Sequence, residues 1–142
     1  VSAGDVPDQE LVREAYLRWE DKGPVVGGRR LTVLAPATRV GLGEIVPVFH
    51  VAEVTEPGRQ LWIAGPKRVV GEYVDGVLVT PPPPEDEDPL EPLFYDGPTL
   101  PSPGLDLGWE ATEYGFDRPG RHEVQWRLRD LASNVLALEV AG

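Results

Sequence analysis

The stretch 121–140, RHEVQWRLRDLASNVLALEV, decides the fold. His122, Val124, Trp126 and Leu128 alternate with Arg121, Glu123, Gln125, Arg127 and Arg129. In an extended chain successive side chains point to opposite faces, so this rhythm makes one apolar and one charged face. After a short turn over 130–133, Leu136, Leu138 and Val140 alternate with Val135, Ala137 and Glu139. Two such strands form a hairpin, and its apolar face needs a second layer to bury it. The spacing therefore predicts a β-sandwich with Val124, Trp126, Leu136 and Leu138 turned inward.

Working upstream, residues 117–120 (DRPG) have turn chemistry, and 107–116 reads as one strand leading into it. The segment 69–80, VVGEYVDGVLVT, is the cleanest hairpin signal. Asp75-Gly76 stands between two β-branched runs, as a two-residue type I′ turn with two positive φ angles requires. Residues 30–35, 44–54 and 60–64 read as further strands, although Pro47 removes a ladder donor and implies an edge, a bulge or a sheet switch. About seven short strands separated by turn signals, with no internal repeat, favour a sandwich over βαβ units. The loop 81–92 (PPPPEDEDPLEP) has four consecutive prolines and a run of carboxylates that repel one another, so it reads as solvated and mobile.

The N-terminus differs in texture. Over 8–22, Leu11, Val12, Ala15, Tyr16 and Trp19 recur at offsets of three and four, the stripe of an amphipathic helix. Asp5 or Asp8 is placed to cap its start, and Gly23-Pro24 to stop it. The expected organisation is a single domain, with a helical extension over 1–28 and a mainly β sandwich over 29–142.

Two stretches resemble bacterial immunoglobulin-like domains. Gly41-Leu42-Gly43-Glu44 runs into a Val-rich strand, and 116–124 followed by 133–140 gives Phe, Pro-Gly, an alternating strand, Ser-Asn and a last alternating strand. The resemblance implies an immunoglobulin-like antiparallel sandwich, with His122 where an aromatic often opens the penultimate strand. It implies no activity. The helix and the proline-acid loop depart from a minimal domain of this kind.

A net charge of −11 with only paired basic residues argues against nucleic-acid binding. No stretch approaches the ~20 apolar residues of a membrane-spanning helix. The N-terminal residues carry no signal-peptide pattern, which favours the cytoplasm, although a chain beginning at Val is compatible with a removed leader. With no cysteine, disulfides and thiolate chemistry are excluded.

Reactive constellations are scarce. The two histidines, His50 and His122, lack metal-site spacing, and His50 lies in an apolar strand that suits a packed core histidine. Ser2, Ser102 and Ser133 lie in no nucleophile elbow, and Gly41-Leu42-Gly43 lacks the rest of a dinucleotide fingerprint. Asp106, Glu110 and Glu113 flank Trp109 and Tyr114, the company of a glycan or hydrolytic site. These readings lead to a non-catalytic protein-binding or accessory module with no cofactor and an unidentified protein partner. An acidic inhibitor of a basic enzyme is the first alternative, and a carbohydrate-binding or hydrolytic domain around Trp109 the second. The candidate partner-binding residues are Trp62, Tyr73, Glu85, Asp86, Glu87 and Asp88.

Overall fold

The computed structural model describes residues 2–3, 5–56, 60–62, 66–90, 99–101 and 103–142. Along the chain run β1 (Ser2–Ala3), α1 (Gln9–Arg18), β2 (Arg29–Leu34), β3 (Arg39–Gly41), β4 (Val46–Val54), β5 (Gln60–Trp62) and β6 (Glu72–Val74). They are followed by β7 (Val77–Leu78), β8 (Thr99–Pro101), β9 (Gly104–Asp106), β10 (Thr112–Tyr114), β11 (Gly120–Leu128), β12 (Leu131–Ala132) and β13 (Leu136–Ala141). One sheet has the order β1-β10-β4-β2, with β9 also on β4. The second has the order β3-β13-β11-β6-β7, with β12 on β11, while β5 and β8 pair apart from both. Strand pairing is antiparallel except between β3 and β13, which run parallel.

Alternation places the core between these sheets. Val124, Trp126 and Leu128 of β11 and Leu136, Leu138 and Val140 of β13 are buried. They meet Leu31, Val33, Val46, Val48, Ala52 and Val54 from β2 and β4 in one apolar cluster. The Asp75-Gly76 turn takes φ angles of 51° and 81°, the double positive φ that the sequence demanded.

Helix α1 covers the outside of the first sheet. Val12 and Tyr16 pack there against Leu34, Phe49, Val51, Leu107 and Ala111, and burying a side chain the size of Val12 contributes ~1.5–3 kcal/mol. Asp8 caps the helix, its Oδ1 accepting from the Glu10 backbone N–H at 3.0 Å. The Tyr16 hydroxyl donates to Glu53, which also holds Arg30 at 2.6 Å. Burial and the neighbouring Glu53 push the Tyr16 phenol up to about 12.

Four expectations change. The helix ends at Arg18 rather than 22, because Trp19 turns extended and the Lys22 ammonium donates to the Trp19 carbonyl at 2.6 Å. Leu11 is 55% exposed, since the sheet face touches a stripe only as wide as Val12, Ala15, Tyr16 and Trp19. The strand expected over 107–116 shrinks to β10, Thr112–Tyr114, because β9 ends before it at Asp106 and Trp109 makes only an isolated bridge to Lys67. The acidic loop is tied down in part: Arg29 holds Asp88 at 2.8 Å, and Leu90 enters the core with 1% exposure. Pro47 causes no conflict, because it lies where β4 reaches past β2, whose last partner on β4 is Phe49. The expected strand positions 63–64 and loop positions 91–92 lie outside the described residues.

Ser133 and Asn134 join the two sheets. The Ser133 hydroxyl accepts from the Trp126 N–H at 2.8 Å and donates to the Asn134 carbonyl at 2.7 Å. The Asn134 amide accepts from the Val33 N–H and donates to the Val33 carbonyl, both at 2.9 Å. A side chain thus stands in for a neighbouring strand on β2, satisfying backbone groups that would otherwise be an open edge.

Candidate functional site

The β6–β7 hairpin concentrates the chemically capable side chains, because its three-residue first strand sends them in different directions. Glu72 lies opposite Trp126 in the register, so it shares the inward face of β11 and is fully buried. A buried carboxylate requires partners. Oε1 accepts from the Thr112 hydroxyl at 2.5 Å and from the Tyr114 hydroxyl, both on β10, and Oε2 meets His50 Nε2 on β4. Burial pushes the Glu72 carboxyl up, but His50 and the two hydroxyls outweigh it and hold the group below the ordinary glutamate value. Burial and the adjacent Glu72 charge raise the Tyr114 phenol, keeping it a donor. His50 also meets the Trp126 ring edge-on at 5.1 Å, and its Nδ1 has no hydrogen-bond partner among the described residues.

Tyr73, the next residue, points outward. It stands opposite Leu78 on β7 and Gln125 on β11, with the Arg127 guanidinium 5.0 Å above its ring. Val77 is 62% and Leu78 36% exposed, and β7 closes the sheet with no strand beyond it among the described residues. At the turn, Asp75 accepts from the Glu123 N–H at 2.8 Å and meets His122 Nδ1 at 2.6 Å. His122 stacks on Phe116 with ring centroids 4.3 Å apart, and its other nitrogen lies 2.9 Å from the Arg118 carbonyl. Hydrogen bonds to Asp75 and to that carbonyl raise the His122 imidazole. Asp75 stays below the ordinary aspartate value, because bonds from His122 and the Glu123 N–H outweigh its partial burial.

The acid–aromatic grouping does not form an open site. Trp109 is 3% exposed, packed 4.9 Å from Trp126, and offers no free ring face for a sugar. Asp106 is buried against the Lys67 ammonium, which lies 5.4 Å from the Trp109 ring. Burial lowers the Lys67 pKa, and Asp106 opposes that shift. Among the described residues no three His, Asp or Glu side chains gather as a metal site.

Among the expected partner-binding residues, Glu85, Asp86 and Glu87 are exposed and Tyr73 is half-buried. Asp88 is occupied by Arg29, which together with the Leu90 N–H holds its carboxyl below the ordinary value despite burial. Trp62 lies on β5, where no side chain is described, so this candidate partner-binding side chain falls outside the described structure. Glu72 was not anticipated as a core group, yet Val70, Glu72 and Val74 share one strand parity, which is the signal that marks it.

No protein-family model, curated protein or solved structure matches the chain.

Proposed function

We propose that the chain is a non-catalytic, immunoglobulin-like module that binds another protein on the open outer face of its second sheet. The carrying observation is an asymmetry: α1 covers the outer face of the first sheet, while among the described residues no helix or strand covers Tyr73, Leu78, Gln125 and Arg127 on the outer face of the second. Val135, 40% exposed, shares the outward parity of β13 and extends that surface. Tyrosine and arginine are the residue types that most often anchor protein interfaces, and here a Tyr–Arg pair is already ordered on a rigid sheet. The immunoglobulin-like part of the reading is supported by the parallel β3–β13 pairing and by the cross-sheet Ser133-Asn134 tie. Conversely, the buried Glu72 and His50, and Lys67 and Asp106, are paired with each other, which suits structural work.

A photo-crosslinking residue at Leu78 tests the docking face in lysate of the producing cells. It should label a discrete protein that the same residue at Leu17, 67% exposed on the helix, does not label. Equal labelling from both positions would refute the proposed face.

A second reading, an acidic inhibitor of a cationic enzyme, draws support from the anchored loop. Asp88 and Leu90 fix the segment that exposes Glu85, Asp86 and Glu87, so these charges are presented with reduced ordering cost. Binding through them should weaken steeply with salt and with the triple substitution E85Q/D86N/E87Q. Salt-independent binding would leave the sheet face as the sole candidate.

A further inference from the structure

A cleft of about 220 Å³ opens at the hairpin's far end, between the segment following β7 and the start of β10. Two opposite charges line it, Arg68 and Glu110; the Glu110 backbone N–H donates to the Lys67 carbonyl at 2.8 Å, but neither side chain has a hydrogen bond or ion pair with another described residue. Thr80 and Thr112 also line it; the Thr112 hydroxyl has committed its single proton, whereas the Thr80 hydroxyl makes only a long contact with the Pro81 carbonyl. Thr112 donates to Glu72 at 2.5 Å, and Thr80 lies 3.5 Å from the Pro81 carbonyl while accepting from the Glu72 N–H at 2.9 Å. Both hydroxyls retain acceptor capacity for a ligand. Glu110 adds a carboxylate, so one part of the cleft accepts and asks for an N–H donor with positive charge. Arg68, exposed at the surface, offers the complementary donors for a carboxylate. Val69, Val79 and Pro81 supply the apolar remainder of the wall.

We propose that this cleft binds a small zwitterion of the free aliphatic α-amino acid class. The ammonium group sits against Glu110 and the threonine oxygens, the carboxylate at Arg68, and the side chain against Val69 and Val79. The size agrees: 220 Å³ falls below the ~300–1,000 Å³ of sites for drug-sized ligands, which restricts the occupant to a few heavy atoms. A metal ion would need more carboxylates than the single one present, and a polyanion would meet Glu110. The site is separate from the Tyr73–Leu78 face, so its failure leaves the docking proposal standing.

Amide NMR spectra of the whole chain, titrated with glycine, L-alanine, L-valine and L-leucine, provide the test. At least one should shift the Val69, Thr80 and Thr112 amides in a saturable way. For the L-valine skeleton, isobutylamine lacks the carboxylate and isovalerate lacks the ammonium. Each should bind at least about tenfold more weakly, the loss expected for one charged hydrogen-bonded contact. Glu110→Gln and Arg68→Gln, both with side chains away from the buried network, should retain spectral dispersion and lose a similar factor. Silence of these amides toward all four amino acids would overturn the proposal. So would equal binding of isobutylamine and L-valine, or shifts unaffected by both substitutions.

Discussion

Both histidines of this chain meet a carboxylate from one hairpin, and the two carboxylates stand three residues apart, at Glu72 and Asp75. His50–Glu72 is sealed between the sheets with no exposed side-chain surface, whereas Asp75 leaves 41% of its side chain in solvent beside His122. The inner carboxylate needs all three partners, because nothing else can solvate it. At the rim, water competes for the same bonds. Identical chemistry therefore acts as a determinant of how the sheets register in one place and as an adjustable latch in the other.

The largest effect should come from Glu72→Ala, which strands His50, Thr112 and Tyr114 without their shared acceptor. Breaking a buried ionic cluster by removing one member costs about 3–5 kcal/mol, to be read from urea unfolding. The comparison sharpens if the whole cluster is made apolar. His50→Leu, Glu72→Leu, Thr112→Val and Tyr114→Phe together should recover most of that loss, since no charge is left unpaired. If the quadruple variant is no more stable than Glu72→Ala, the cost lies in packing and the electrostatic account fails. Acid gives an independent check. The Glu72 carboxyl lies below its ordinary 4.5 in the folded state. Its contribution is present above pH 4.5 and is lost as pH falls through the lower folded value. Urea midpoints of the wild type should therefore drop more steeply below this pH than those of the quadruple variant.

At the rim, Asp75→Ala should cost about 1–2 kcal/mol. It places alanine at a φ of 51° and removes the acceptor for the Glu123 N–H. Asp75→Asn keeps both the tolerated backbone and an acceptor, so its cost should stay within about 1 kcal/mol. Equal losses in the two variants, measured by urea unfolding, would show that charge rather than geometry holds the turn.

The contrast between these pairs also shows what was legible beforehand. Alternation over 120–128 and 136–141 gave the inward positions of Val124, Trp126, Leu136 and Leu138, and Asp75-Gly76 gave the turn, because period and turn chemistry are local properties. The burial of Glu72 is not local. It depends on partners 22, 40 and 42 residues away, on strands whose pairing the sequence does not print. Composition was misleading for the loop 81–92, where the run of acids hid the pairing of Asp88 with Arg29 and the core position of Leu90. The region 107–116 misled for a related reason: β-forming residues satisfy a strand pattern, but the buried Lys67–Asp106 pair and the isolated Trp109 bridge occupy its first part and leave only Thr112–Tyr114 as strand.

The smallest expected effect is the most diagnostic of the rim pair. The His122 imidazole is raised above its ordinary 6.5 in the folded chain, so its contribution is fully present below that pH and fades as pH rises through the folded value. Asp75, lowered from 3.8, contributes above that value and loses its contribution in acid. The latch should therefore be strongest between those two ordinary values, from about pH 4 to about 6.5. His122→Gln keeps a polar side chain at the strand start but cannot carry the charge. Wild-type stability minus that of His122→Gln should shrink between pH 6 and pH 8, by no more than about 1 kcal/mol given the exposure of Asp75. A difference that stays flat across this range would mean that His122 acts through its stacking on Phe116 alone. The two histidines would then differ in kind, one held by a carboxylate and one by an aromatic ring, rather than in degree of burial.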